Sequence, residues 1–131
     1  MSPRLAVILM GSAVLAATGS ASAHHSFAIF DTEHPLELRG TVQEFRFTSP
    51  HAFIVLEVKG ADGSVMMWKL EGASPSILAR DGWSNKSLKA GDEVVMTIDP
   101  LRSGAPGGAW NGQRINFRDG RPVACCTSDG F

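Results

Sequence analysis

Residues 52–59 place Ile54, Leu56 and Val58 on one face of an extended chain and Phe53 and Val55 on the other. Side chains alternate sides along a pleated strand, so this period of two marks a strand. A turn cluster, Gly60-Ala61-Asp62-Gly63, follows, and Val65–Glu71 returns with Met66, Trp68 and Leu70 in alternation. Two alternating runs joined across a glycine-containing turn form a hairpin. A hairpin alone is marginal in water, so the rest of the chain must supply strands or a helix to cover its apolar face.

The flanking segments supply them. Between Glu37 and Phe47, Leu38, Gly40 and Val42 share one parity and Phe45 and Phe47 the other. The slip near Gln43 and Glu44 predicts a bulge in a long, curving first strand. After the hairpin, Ser74 suits a helix N-cap, Pro75 the first helical position and Gly82 the C-terminal stop, with Ile77 and Leu78 as the apolar patch. Leu88–Asp92 is a turn into a fourth strand, Glu93–Ile98, with Val94, Met96 and Ile98 on one face and Pro100 ending it. A Gly/Pro-rich loop carrying Trp110 is expected through Gly112. A fifth strand over Gln113–Arg118 points Ile115 and Phe117 inward, and Asp119-Gly120 turns the chain toward a short strand at Pro122-Val123.

Three strands, one short helix and two strands, with a bent first strand, is the order of a mainly β, five-stranded OB-like barrel with its helix between strands 3 and 4. A meander sheet with a helix is the alternative. The barrel reading expects Leu38, Val42, Phe45, Ile54, Leu56, Trp68, Val94, Ile98, Ile115 and Phe117 in one core.

Ahead of this domain, Arg4 begins a positive n-region, Leu5–Ala17 is apolar, and Ala21-Ser22-Ala23 is a small-residue cleavage site. That is the plan of a secretory signal peptide. The apolar run is well short of the roughly 20 residues that a spanning helix needs. The expected organisation is therefore a leader at 1–23, an N-terminal segment at 24–36, the β domain at 37–123 and a flexible tail at 124–131. The mature product is read as periplasmic or secreted, with no membrane span after cleavage. Without Arg4 it carries 11 basic and 13 acidic residues. A slightly negative chain with no basic run argues against nucleic acid as a partner.

Processing after Ala23 would expose His24-His25, a free α-amine beside an imidazole. Nitrogen donors of this kind suit Cu(II), and an α-amine with an ordinary pKa of about 7.7 to 8.0 can give up its proton to a metal near neutral pH. His51, after Pro50 at the start of a strand, offers a third imidazole, with Ser26 and Asp31 as weaker donors. The same histidines also read as incidental, two on a terminal tail and one at a strand end. His34 reads as an exposed turn residue. The carboxylates Glu44, Glu57, Glu71 and Asp92 read as solvated strand faces or turn starts. No G-x-S-x-G elbow, H-E-x-x-H or phosphate loop occurs. Cys125 and Cys126 are adjacent; a bond between them is strained, because one peptide step separates Cα atoms by about 3.8 Å and bridged pairs usually stand about 4.4–6.8 Å apart. They read as part of the tail.

Five short motifs occur in order: A-H-H-S-F at 23–27, S-P-H at 49–51, E-G-A-S-P at 71–75, D-G-W at 81–83 and L-K-A-G-D-E-V at 88–94. Together they resemble a domain-of-unknown-function family of small exported proteobacterial proteins. The resemblance implies an exported β-barrel without assigning an activity, and it points to His24, His25 and His51. The chain departs from that pattern with Ser49 and Phe47, where the family more often has Asn and Trp.

Three functions remain open. The first is a non-enzymatic binding or accessory protein presenting His24, His25 and His51 to a copper-like cation or another ligand. The second is an interaction module whose barrel face or Trp110 loop meets a partner protein without any metal. The third is a copper-dependent oxidoreductase.

Overall fold

The computed structural model describes residues 28–124, so the leader, His24, His25, Cys125 and Cys126 lie outside the described residues. The elements are β1 (Leu36–Arg46), β2 (Phe53–Lys59), β3 (Val65–Glu71), α1 (Pro75–Arg80), β4 (Glu93–Pro100) and β5 (Gly107–Phe117). They close into one barrel in the order β1-β2-β3-β5-β4, with β4 returning to β1. The chain is mainly β with a single short helix between β3 and β4, as the alternation predicts.

The bulge falls where the parity slips. Val42 pairs with Leu56 and Glu44 with Val55, leaving Gln43 as the extra residue. The first half of β1 pairs with β4 and the second half with β2, so one bent strand serves two sides of the barrel. Gly40 stands at this crossing, where a Cβ would lie 2.4 Å from the Glu57 carbonyl oxygen. Only glycine lets the two backbones come so near.

All ten expected core residues join one cluster: Leu38, Val42, Ile54, Leu56, Val94, Ile98 and Ile115 are buried, while Phe45, Trp68 and Phe117 are half-buried against them. In α1, Leu78 is buried but Ile77 is exposed, so the expected two-residue patch is one residue wide. At 3.6 residues per turn successive side chains point about 100° apart, so with Leu78 turned to the barrel its neighbour Ile77 faces away. It stops in a Schellman arrangement, with Trp83 N donating to Leu78 O, Gly82 N donating to Ala79 O, and Gly82 at φ 84°.

Two expectations about the C-terminal half need correction. The Gly/Pro loop ends at Pro106, and β5 begins at Gly107 instead of Gln113. Trp110 therefore sits in a strand and is 5% exposed, not carried on a surface loop. The glycines that read as loop formers are the residues that fit the closing crossing: a Cβ on Gly108 would meet Asp99 O at 2.6 Å, and one on Gly107 would meet Leu101 Cδ1 at 2.8 Å. Pro100 pairs with Gly108 at the end of β4. Pro122 makes an isolated bridge to Asn116 and does not extend into a sixth strand.

Candidate functional site: a cleft beside His51

Hairpin register brings the site together. The turn after β2 pairs Lys59 with Val65 and, six residues up the ladder, Phe53 with Glu71. The pairing continues past the strands, with Ala52 N donating to Ala73 O at 3.0 Å and Gly72 N donating to Ala52 O at 2.8 Å. This fixes the backbone of His51 against Glu71 and Gly72. His51 Nδ1 lies 3.0 Å from Gly72 O and 3.1 Å from Glu71 Oε1. A carbonyl oxygen can only accept, so Nδ1 carries a proton and the neutral ring has its lone pair on Nε2. That assignment follows from the hydrogen-bond partner. A ring held this way at one nitrogen presents the other as an oriented base or ligand.

His51 lines a cleft of about 450 Å³ with Pro50, Glu71 and Gly72, Ile77 of α1, and Trp110 of β5. Phe30 and Asp99 complete its far side. Trp110 packs its Nε1 edge on Gly72, where a Cβ would be 2.4 Å from the ring, and its Nε1–H has no acceptor among the described residues. Behind it lie Trp83, with ring centroids 5.0 Å apart, and Phe45, with centroids 6.5 Å apart. The indole is thus held by the core on one side and borders the cleft on the other.

The start of the described chain is tied to the same place. Phe30 is buried and bridges to Leu101, Asp31 N donates to Pro100 O at 2.8 Å, and Arg102 donates through its backbone N to Ile29 O and through Nε to Ala28 O. Asp31 also accepts from His34, with Nδ1 to Oδ2 at 3.0 Å. This hydrogen bond is the main cause holding the Asp31 carboxyl below the ordinary aspartate value of 3.8. His34 is exposed, as the sequence suggests.

Of the three histidines singled out from sequence, His51 is placed in the cleft, and His24 and His25 fall outside the described residues. Among the described residues no group of three or more His, Cys, Asp or Glu side chains is arranged to hold a metal ion. His51 therefore contributes one nitrogen, and the described residues do not complete a metal centre by themselves. Sequence reading missed Glu71, which is half-buried against His51 and not on a solvated face. The turn at Gly60–Gly63 is the signal that locates it, since counting the ladder back from that turn sets Glu71 to Ala73 opposite His51 to Phe53. Phe30 and Asp99 carry no comparable local signal. No helix among the described residues is long and apolar enough to cross a membrane.

No functionally curated protein matches the chain. Among solved structures it is similar to the crystal structure of the S. cerevisiae mitochondrial single-stranded DNA binding protein Rim1, at 10% identity and a TM-score of 0.47, over 65% of this chain and 94% of that one. A family model matches residues 13–111, more than half of the sequence, a span that ends within β5. The chain belongs to DUF6152, a family of unknown function.

Proposed function

We propose that this protein is an exported, non-enzymatic binding module whose ligand sits in the cleft beside His51. The observation that carries this reading is the fixed imidazole: Gly72 O and Glu71 hold Nδ1, and the ring so held lines a cleft large enough for a ligand. Processing after Ala23 would add the α-amine of His24 and the imidazole of His25. His25 precedes the cleft-lining Phe30 by five residues, and five residues reach at most roughly 17 Å. That reach supports a copper-like cation held by His24, His25 and His51, nitrogen donors that Cu(II) favours. The α-amine is a ligand only after cleavage, so binding should depend on the exact start of the chain.

The test is calorimetric titration of Cu(II) into protein beginning at His24, beside His24→Ala, His51→Ala and a form extended by one N-terminal residue. One-to-one binding lost in all three supports the reading. Binding no tighter than that of an isolated His-His peptide rejects the metal.

The second reading, an interaction module, draws on β3. Val65, Met66 and Met67 are 55%, 49% and 46% exposed, and β5 pairs with β3 only at Lys69, Leu70 and Glu71. An apolar strand with an open edge suits an added strand from a partner protein. Loss of partner capture in Met67→Lys, with Cu(II) binding unchanged, would favour it.

A further inference from the structure

The cleft is much larger than a metal ion needs, and its volume of about 450 Å³ falls among pockets that enclose small organic molecules. Its charge is one-sided. Glu71 and Asp99 line it, and among the described residues no lysine or arginine does. The two carboxylates stand in one row across the sheet, because Ala109 pairs with Glu71 on one side and with Asp99 on the other. Cross-strand partners project to the same face, and two strand spacings separate the outer Cα atoms by about 10 Å. The middle position carries only a methyl group, so no long side chain stands between the two acidic positions.

Among the described residues each carboxylate has one partner, Glu71 the His51 imidazole and Asp99 the Arg114 guanidinium. Glu71 meets His51 Nδ1, whose proton it shares with Gly72 O. Asp99 has Arg114 at 3.9 Å, beyond hydrogen-bond length, with that guanidinium 53% exposed. Around the acidic row the walls are apolar: Phe30, Ile77 and Trp110. Ile77 is 53% exposed although its helix neighbour Leu78 is 3% exposed, and Trp110 keeps a buried Nε1–H without an acceptor beside cleft-lining Gly72. In a cleft lined by two carboxylates and by no lysine or arginine among the described residues, apolar walls strengthen the attraction for a cation, and the carboxylates repel an anion.

We propose that the cleft binds a small organic amine, with its ammonium at Glu71 and Asp99 over Ala109 and its aliphatic or aromatic body against Phe30, Ile77 and Trp110. This rests on the reading of the cleft as the ligand site and does not need the metal. Hexylamine, hexan-1-ol and hexanoate share one body and differ in the head group, so they separate charge from apolar fit. Each is titrated into ¹⁵N-labelled protein beginning at His24, with a chelator present, while the Trp110 indole N–H resonance is followed. Hexylamine should saturate a shift of that resonance, bind at least tenfold tighter than hexan-1-ol, and leave hexanoate without effect. Glu71→Gln combined with Asp99→Asn should abolish the preference for amine over alcohol while the spectrum stays dispersed. Equal responses to all three probes, or a hexylamine response that bypasses Trp110, overturns the proposal. The copper titration is read separately: copper binding without amine binding defeats this inference alone, and amine binding without copper binding defeats the metal alone.

Discussion

A methyl group on Gly72 would stand 2.4 Å from the six-membered ring of Trp110. The glycine after β3 is therefore a packing requirement of the cleft wall, where backbone and indole touch without a side chain between them. Gly72→Ala should destabilise the protein by about 1–3 kcal/mol, the usual cost of overfilling a packed site. Urea unfolding measures it, and a shift of the Trp110 indole resonance should accompany the loss. An unchanged midpoint would show that the indole can retreat freely.

His51 should populate the Nδ1–H form of the neutral ring, because Gly72 O accepts from that nitrogen. Long-range ¹H–¹⁵N correlation of the imidazole distinguishes the two tautomers directly. Glu71→Gln should leave the fold intact and weaken Cu(II) or other ligand binding at His51 by about 10–100-fold, the range seen when a group orienting a ligand is removed.

The two neighbouring apolar residues of α1 should behave oppositely. Leu78 is 3% exposed and Ile77 is 53% exposed. Leu78→Ala should cost about 2–5 kcal/mol, whereas Ile77→Ala should change stability by no more than about 0.5 kcal/mol. Chemical denaturation of the pair gives the comparison, and equal losses would mean that the helix turns a different face to the barrel.

The Asp31 carboxyl is held below its ordinary value, first by the hydrogen bond from His34. A depressed acid contributes stability that is present above the ordinary aspartate pKa and lost as pH falls through the lowered one. The contacts of Ala28 to Asp31 with Pro100 and Arg102 should therefore loosen below about pH 3.8. The group lies at the surface and pairs with exposed His34, so the effect is local. Protection of the Asp31 amide, bonded to Pro100 O and measured against its intrinsic exchange rate at each pH, should fall on acidification in the natural protein, while Asp31→Asn should lose this acid dependence.

Strand periodicity and turn chemistry are local properties, and the elements they govern are readable in the chain. The slip at Gln43, the hairpin at Gly60–Gly63 and the Ser74-Pro75 helix start all follow from neighbours in sequence. The beginning of β5 is not readable in that way. Gly107 and Gly108 look like loop residues until Asp99 O and Leu101 are brought against them by the barrel. Trp110 follows the same error, because a tryptophan two residues beyond a glycine pair reads as exposed while the closed sheet buries it. At the site, His51 stands out by residue type, whereas Glu71 becomes distinctive only when register sets it beside the ring. Phe30 and Asp99 are separated by most of the domain, and nothing short of the folded chain joins them.

Closure between β3 and β5 spans just three residue pairs, Lys69 with Gly107, Leu70 with Gly108 and Glu71 with Ala109. Such a short parallel seam is the thinnest part of the barrel wall, and Glu71 and Ala109 at its end also border the cleft. Opening the seam would therefore disturb the cleft wall as well. A molecule bridging Glu71 to the far side of Ala109 would act as a rivet through both, so occupancy of the cleft and the breathing of the whole barrel would be reported by the same amides.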